Sequence, residues 1–229
     1  KSIARLGPGG DPAMAQRSAL PASLAAIAAA AYFLAMNAGL PFALHVALKG
    51  ACVTILAVAA AIAARGTDGW LFAGVMALGA LGDILLEFDL MAGASAFAAG
   101  HVAAIRLYLR NRRDGPMPRS QYAAAGVLLL SAPFLYLIAG PAADAGIALY
   151  AALLCAMAAA AWTSRFPRYR TGIGAILFLV SDAFIFARLG GRMDPDQAAL
   201  FIWPLYAAGQ ILIFAGVRQR LAAEVRTVS

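Results

Sequence analysis

The sequence predicts an all-α fold, a polytopic membrane helical bundle of eight transmembrane helices with both termini inside (N-in/C-in). Three observations predict it. Of the 229 residues, 63% are hydrophobic and 13% charged, against about 45–50% and about 25% in ordinary soluble domains. Eight apolar stretches of roughly 16–21 residues follow one another, each close to the roughly 20 helical residues that cross a hydrocarbon core of about 30 Å. The basic residues gather almost entirely on one side of those stretches. Little chain is left over for a soluble domain.

Taken in order, the spans are expected at Leu20–Met36, Leu44–Ala64, Trp70–Leu86, Ala94–Leu109, Tyr122–Ala139, Ala145–Thr163, Thr171–Ala187 and Leu200–Val217. Turn-forming residues separate them: Asn37-Ala-Gly-Leu-Pro41, Arg65-Gly-Thr-Asp-Gly69, Gly115-Pro-Met-Pro118, Gly140-Pro141 and Gly190-Gly-Arg-Met-Asp-Pro195. No internal repeat is visible. The expected division is an N-terminal tail (1–19), the bundle (20–217) and a basic cytoplasmic tail (218–229), with Met14 the expected native start and part of Lys1 to Pro12 foreign to it.

An even number of spans puts both termini on one side. That side then receives Lys1, Arg5, Arg17, Arg65, Arg106, Arg110, Arg112, Arg113, Arg119, Arg165, Arg168, Arg170, Arg218, Arg220 and Arg226, and the other only Arg188 and Arg192. The positive-inside rule makes the first side cytoplasmic. Orientation therefore accounts for the net charge of +7, and no nucleic acid and no obligate protein partner is expected. The strong bias to Arg and Ala suggests a GC-rich bacterial genome, and a multi-pass protein of the bacterial inner membrane is expected. Cys52 and Cys155 lie in apolar stretches without paired spacing and are expected to be small core residues.

An ionisable side chain within a span costs at least about 2.5–3.5 kcal/mol on insertion scales, so each one needs a partner, a cavity or a function. Within the spans stand Lys49, Asp83, His101 and Asp182, with Glu87, Asp89 and Arg188 at outer ends. Helical spacing groups His45 with Lys49, Asp83 with Glu87, and Tyr206 with Gln210, each pair four residues apart on one face. At 1.5 Å per residue, Asp83 and Asp182 lie roughly 20 and 16 Å from the inner edge; His101, Tyr206, Gln210 and Lys49 lie roughly 10, 9, 15 and 7 Å below the outer edge. Polar groups from five spans thus share one layer, from mid-membrane toward the outer leaflet.

Blander readings accompany each residue. Asp83 or Asp182 alone could be the ion-pair partner of Lys49; His101, Tyr206 and Gln210 could be interhelical hydrogen bonders. Tyr108, Tyr122, Trp70 and Trp203 read as an interfacial belt, and His45 as an interfacial residue. A zinc site could draw only on His45, His101, Asp83 and Asp182, without HExxH, HxxxH or paired-Cys spacing, so no metal and no cofactor is expected.

Four segments carrying these residues, Gly82-Asp-Ile-Leu-Leu86, Ala96-Phe-Ala-Ala-Gly-His101, Gly174-Ala-Ile-Leu-Phe-Leu-Val-Ser-Asp182 and Tyr206-Ala-Ala-Gly-Gln-Ile-Leu-Ile213, occur in this order over spans two to eight. Together they resemble the YhhN-type lysoplasmalogenase family, eight-span membrane proteins. The resemblance implies hydrolysis of the vinyl ether bond of a lysoplasmalogen, an alkenyl lysophospholipid, to a fatty aldehyde and glycerophosphoethanolamine or glycerophosphocholine. It maps the family's two intramembrane aspartates onto Asp83 and Asp182. The family's span-two Lys-Pro corresponds to Lys49 and Gly50, so the proline is replaced here, and the Tyr that often follows the span-four His is not at the same place after His101.

The chemistry of a vinyl ether leads to the same residues. Protonation of its β-carbon gives an oxocarbenium ion, water adds, and the hemiacetal collapses. That needs a carboxylic acid that still holds its proton near neutrality, and a second, ionised carboxylate to stabilise the cation and orient water; two carboxyl groups withdrawn from water can divide into such an acid and base. Asp83 and Asp182 fit that division as catalytic groups. Lys49 would meet the lipid phosphate, with Glu87, His101, Ser181, Tyr206 and Gln210 in support. Ser181 lacks a GxSxG elbow, which argues against a serine hydrolase. The alternative is a proton-coupled carrier or binding protein for a small amphiphile using the same acidic pocket. Its usual inverted repeats and mid-membrane breaks are not expected in spans three, seven and eight, although Pro133 lies in span five.

Overall fold

The structure is a computed structural model that describes the backbone of residues 12–228 and the side chains of 19–224. It is helical throughout these residues. The helices are α1 Pro12–Ala35, α2 Phe42–Ile62, α3 Gly66–Leu85, α4 Leu90–Arg110, α5 Arg119–Ile138, α6 Ala145–Thr163, α7 Ile173–Leu189 and α8 Pro195–Val228. Seven, α2 to α8, are long and apolar enough to cross a membrane; α1 contributes a shorter apolar stretch, Ala19–Ala35. Span eight, expected to stop at Val217, is part of a 34-residue helix, Pro195–Val228, that continues through the basic segment.

Local chemistry sets the ends. Asp89 and Asp144 precede α4 and α6, and their side chains accept hydrogen bonds from the backbone N–H of Ala92 (2.7 Å) and Ile147 (2.8 Å), satisfying donors that a helix N-terminus leaves open. Asp194 does the same for Asp196 and Gln197 at the start of α8. Gly66 starts α3 directly after α2 with φ of +60°, a conformation that residues with a Cβ rarely adopt. Prolines stand inside α1, α5 and α8, at Pro21, Pro133 and Pro204. Span eight therefore carries a helix-breaking residue, contrary to the expectation of an uninterrupted segment.

Packing between neighbours runs α1 to α2, α2 to α3, α3 to α4, α4 to α6, α6 to α7, α7 to α8 and α8 back to α1, which closes a ring; α5 packs outside it against α6 and α7. One close crossing joins α7 to α8. A Cβ on Gly174 would come within 2.6 Å of the Gly209 carbonyl oxygen, and one on Gly209 within 2.7 Å of the Gly174 oxygen. Small residues let membrane helices approach through dispersion contacts alone. Here they also set the register in which Asp182, eight residues beyond Gly174, lies on α7 near the start of α8.

The outer surface is apolar, with Leu34, Ile62, Val127, Leu130, Phe134 and Leu137 all well exposed. Polar residues are inside: Asp83, His101, Asn111, Ser164, Thr171, Ser181, Asp182 and Gln210 are all buried. That inversion suits a protein whose solvent is lipid. Overpacking a close crossing costs about 1–3 kcal/mol. Gly174→Val should therefore lower the thermal midpoint in detergent, whereas Gly74→Ala, whose added Cβ meets nothing within 4 Å, should leave it within about a degree or two or raise it slightly, the stabilising direction for Gly to Ala in a helix.

Candidate active site

Asp83 lies near the C-terminal end of α3, 2% exposed, and its Oδ2 accepts a hydrogen bond from the Tyr206 hydroxyl at 2.9 Å. Gln210 Nε2, one turn further along α8, donates to the same tyrosine oxygen at 3.2 Å. The pairing of Tyr206 with Gln210 along one helix face thus produces a relay of three side chains that ends on the carboxylate. Gly79, one turn before Asp83, makes room for it: a Cβ there would stand 3.1 Å from Gln210 Nε2.

Asp182 is held in the same manner by a different tyrosine. Its Oδ2 accepts from the Tyr150 hydroxyl of α6 at 2.7 Å, and the residue is 4% exposed. Among the described residues each aspartate accepts one side-chain hydrogen bond, through Oδ2.

An aromatic layer joins the two. The Tyr206 ring meets Phe178 with centroids 5.2 Å apart, Phe178 meets His101 at 5.2 Å, and His101 meets Tyr150 at 5.4 Å, all edge to face. Phe178 and Asp182 are one turn apart on α7. Contact therefore runs without a gap from Asp83 through Tyr206, Phe178, His101 and Tyr150 to Asp182.

His101 is buried, and its Nε2 has no hydrogen-bond partner among the described residues. It lines a small cavity of about 20 Å³ with Gln210, Phe97, Phe178, Tyr108 and Met76, large enough for one water molecule. Neither aspartate lines this cavity, although both were expected to share one; the Phe97 and Phe178 rings fill the space beside Tyr206 instead.

Toward the α2 and α3 ends lies a second polar cluster. The Lys49 ammonium is ion-paired with Glu87 Oε1, and Glu87 Oε2 is 3.3 Å from His45 Nε2, which is also 3.1 Å from the Tyr32 hydroxyl. The ion-pair partner of Lys49 is thus Glu87, neither aspartate, and His45 belongs to the cluster. Ser181 points elsewhere: its hydroxyl donates to the Ile202 carbonyl at 2.9 Å and joins α7 to α8.

The YhhN family model matches residues 44–217. The chain belongs to the YhhN family. Among its relatives are the lysoplasmalogenases of Mycobacterium bovis and Mycobacterium tuberculosis, each 29% identical over 184 residues, covering 76% of this chain and 70% of theirs. No solved structure matches it.

Sequence reasoning overlooked three contributors to the site of this YhhN-family protein. Spans one and six, which contain no charged residue, are in the ring and supply Tyr32 and Tyr150, while α5 is peripheral. Trp203, expected in an interfacial belt, is 5% exposed, donates from Nε1 to the Ala29 carbonyl at 2.9 Å, and packs between Tyr32 and Tyr206. Tyr108 is likewise interior, whereas Trp70 and Tyr122 are exposed. A usable signal existed for Tyr150: a tyrosine in the midst of a long apolar run carries a hydroxyl that requires a partner.

The Lys49–Glu87 contact generates a stability prediction. Both side chains are largely removed from solvent, at 16% and 20% exposure, and leaving one charge of such a pair alone is costly. Lys49→Met and Glu87→Gln should each destabilise, and the double variant should recover part of the loss, with a coupling energy above about 0.5 kcal/mol in a double-mutant cycle of unfolding in detergent.

Proposed function

We propose that this protein is an integral-membrane lysoplasmalogenase-like hydrolase that cleaves the vinyl ether bond of an alkenyl lysophospholipid through Asp83 and Asp182. The observation that carries the reading is the pair of buried carboxyl groups from separate helices, each accepting one tyrosine hydroxyl and joined by a continuous aromatic contact. The YhhN family and the names of the mycobacterial relatives support the same chemistry.

In this reading all eight helices cross a bacterial inner membrane with both termini inside. Seventeen residues of α1, Ala19–Ala35, span roughly 26 Å as helix, at the short end of what a bilayer accepts. The lysolipid lies with its chain between helices and its headgroup at the Lys49–Glu87 pair. Lys49 faces the phosphate, and Glu87 faces the ammonium of ethanolamine or choline, so a zwitterionic headgroup can replace each partner of the ion pair with another of the same sign.

One aspartic acid transfers its proton to the β-carbon of the alkenyl chain, and the ether oxygen shares the positive charge that develops on the adjacent carbon. The other aspartate, ionised, stabilises that cation and receives a proton from the attacking water. Collapse of the hemiacetal returns a proton to the glycerol oxygen and releases the fatty aldehyde and the glycerophospho-alcohol. Tyr150 and Tyr206 fix the carboxyl groups through Oδ2 and leave Oδ1 toward the reactants. His101, with its unpartnered Nε2, and Gln210 line a water-sized cavity beside the Phe178 ring, from which the attacking water passes to the ionised aspartate.

Asp83→Asn and Asp182→Asn preserve size and the capacity to accept the tyrosine hydrogen bond while removing proton transfer. Each should leave the protein folded in detergent and lower aldehyde release from alkenyl lysophospholipid by about 10²–10⁴ in an aldehyde-coupled assay. Saturated alkyl-ether lysolipids should be inert for want of a carbon to protonate. Wild-type protein that releases no aldehyde, with proton-coupled amphiphile uptake into proteoliposomes that both Asn variants abolish, would establish the carrier reading instead.

A further inference from the structure

The arginine-rich end of the bundle contains a third polar cluster, separate from the aspartates and from the Lys49–Glu87 pair. Most of its ionic neighbours are matched: Arg110 pairs with Asp68 at 2.8 Å, and Arg165 and Arg220 pair with Glu224 at 2.9 and 3.0 Å. Arg113 and Arg168 are not. Among the described residues neither has a carboxylate partner, yet both are half-buried, and Arg113 reaches the chain two residues before Arg168. Arg113 Nη2 donates to the Phe166 carbonyl at 3.3 Å, while its Nε is buried without a partner. The Arg168 guanidinium lies 5.4 Å from the centre of the Trp162 ring and donates from Nε to the Trp162 carbonyl.

The backbone holds these two cations together. Arg165 N–H donates to the Asn111 carbonyl at 2.8 Å, its guanidinium bonds Asn111 Oδ1, and Arg112 pairs with Ser164 in an isolated antiparallel bridge. Asn111 is fully buried and is itself anchored to Asp68. Arg168 opens a π-helical turn, Arg168–Gly172, in which a Cβ on Gly172 would stand 2.9 Å from the Trp162 ring. Burial, and then the charge of Arg168, depress the pKa of Arg113 from its ordinary value. A fold that anchors two half-buried guanidinium groups on the same short segment, at the Phe166 and Trp162 carbonyls, without a carboxylate partner among the described residues is complementary to an anion with several acceptor oxygens, and guanidinium matches phosphate in both charge and geometry.

We infer that Arg113 and Arg168 form a phosphate site, occupied by the headgroup of an anionic phospholipid such as phosphatidylglycerol. The membrane favours the lipid over free phosphate: the site sits where α4, α6 and α7 meet the arginine-rich interface, beside Trp162 and the 83% exposed Tyr169, residue types that settle at headgroup level. This site is separate from the aspartates, and it stands whether or not the proposed hydrolysis does.

The test uses the full chain purified in detergent, with native mass spectrometry after addition of phosphatidylglycerol, phosphatidylcholine or inorganic phosphate. Wild type should retain phosphatidylglycerol at least about tenfold better than phosphatidylcholine, because both offer the phosphate but only phosphatidylcholine adds a choline cation, which two guanidinium groups without a counter-charge repel. The preference should vanish in R113Q/R168Q and persist in R112Q/R119Q, which removes two charges from exposed arginines of the same end. Thermal midpoints verify folding, and the single variants R113Q and R168Q, each expected to lose part of the preference, serve if the double variant unfolds. Equal loss in both double variants, or no lipid preference in wild type, overturns the site. Retention of inorganic phosphate in place of lipid, abolished by R113Q/R168Q, overturns the lipid assignment and keeps the anion site.

Discussion

A carboxyl group inside a bundle that spans a bilayer has no water to solvate it, so its partners must come from other helices. That constraint organises the interior of this protein. Asp83 on α3 reaches Tyr206 on α8, and Asp182 on α7 reaches Tyr150 on α6. The first bond ties together helices distant in sequence, the second locks two consecutive ones, and the Gly174–Gly209 crossing brings α7 and α8 close enough for the two assemblies to share one aromatic wall. Apolar packing gives the bundle its cohesion, but it does not by itself specify which helix lies beside which; the buried polar pairs do, because a wrong neighbour would leave a carboxyl group bare.

Charge is segregated along the bundle. The Lys49–Glu87–His45 cluster lies toward one end of α2 and α3, whereas Asp68, Arg110, Asn111 and Arg165 tie the opposite ends of α3, α4 and α6 into one network. Between them the aspartates are surrounded mainly by aromatic rings. A reaction that passes through a cation gains from such an interior, since a fixed carboxylate acts on developing positive charge far more strongly where water is excluded. The same rings would limit access to a slender alkenyl chain.

The sequence revealed what was expensive and concealed what was cheap. Asp83, Asp182, His101 and Lys49 stood out because ionisable residues in apolar stretches are rare, and their helical spacing correctly paired Tyr206 with Gln210 on one face. All-helical architecture followed from composition alone. The partners were harder to see. Tyr150 and Tyr32 count as hydrophobic in any composition, so the helices that carry them read as inert, and the ring order that admits α6 but excludes α5 depends on which faces fit, a matter of tertiary packing. Ser181 shows the converse failure: adjacent to Asp182 in sequence, it faces Ile202 on α8 and serves the fold, because successive residues on a helix point about 100° apart. His45 and Trp203 were assigned by their distance from span ends, which says nothing of whether a side chain turns inward.

Proton transfer to carbon is the central claim, and its isotopic signature is the most direct measurement. Turnover of alkenyl lysophospholipid in deuterated water, with the aldehyde trapped as it forms, should place a single deuterium on carbon 2 of the fatty aldehyde, in one stereochemical sense, and slow the reaction through a solvent isotope effect. Parallel turnover in ¹⁸O-labelled water should put the label in the aldehyde oxygen. Aldehyde without deuterium at carbon 2, or with ¹⁸O in the glycerol product instead, would show that the bond is broken by other chemistry and would contradict the account.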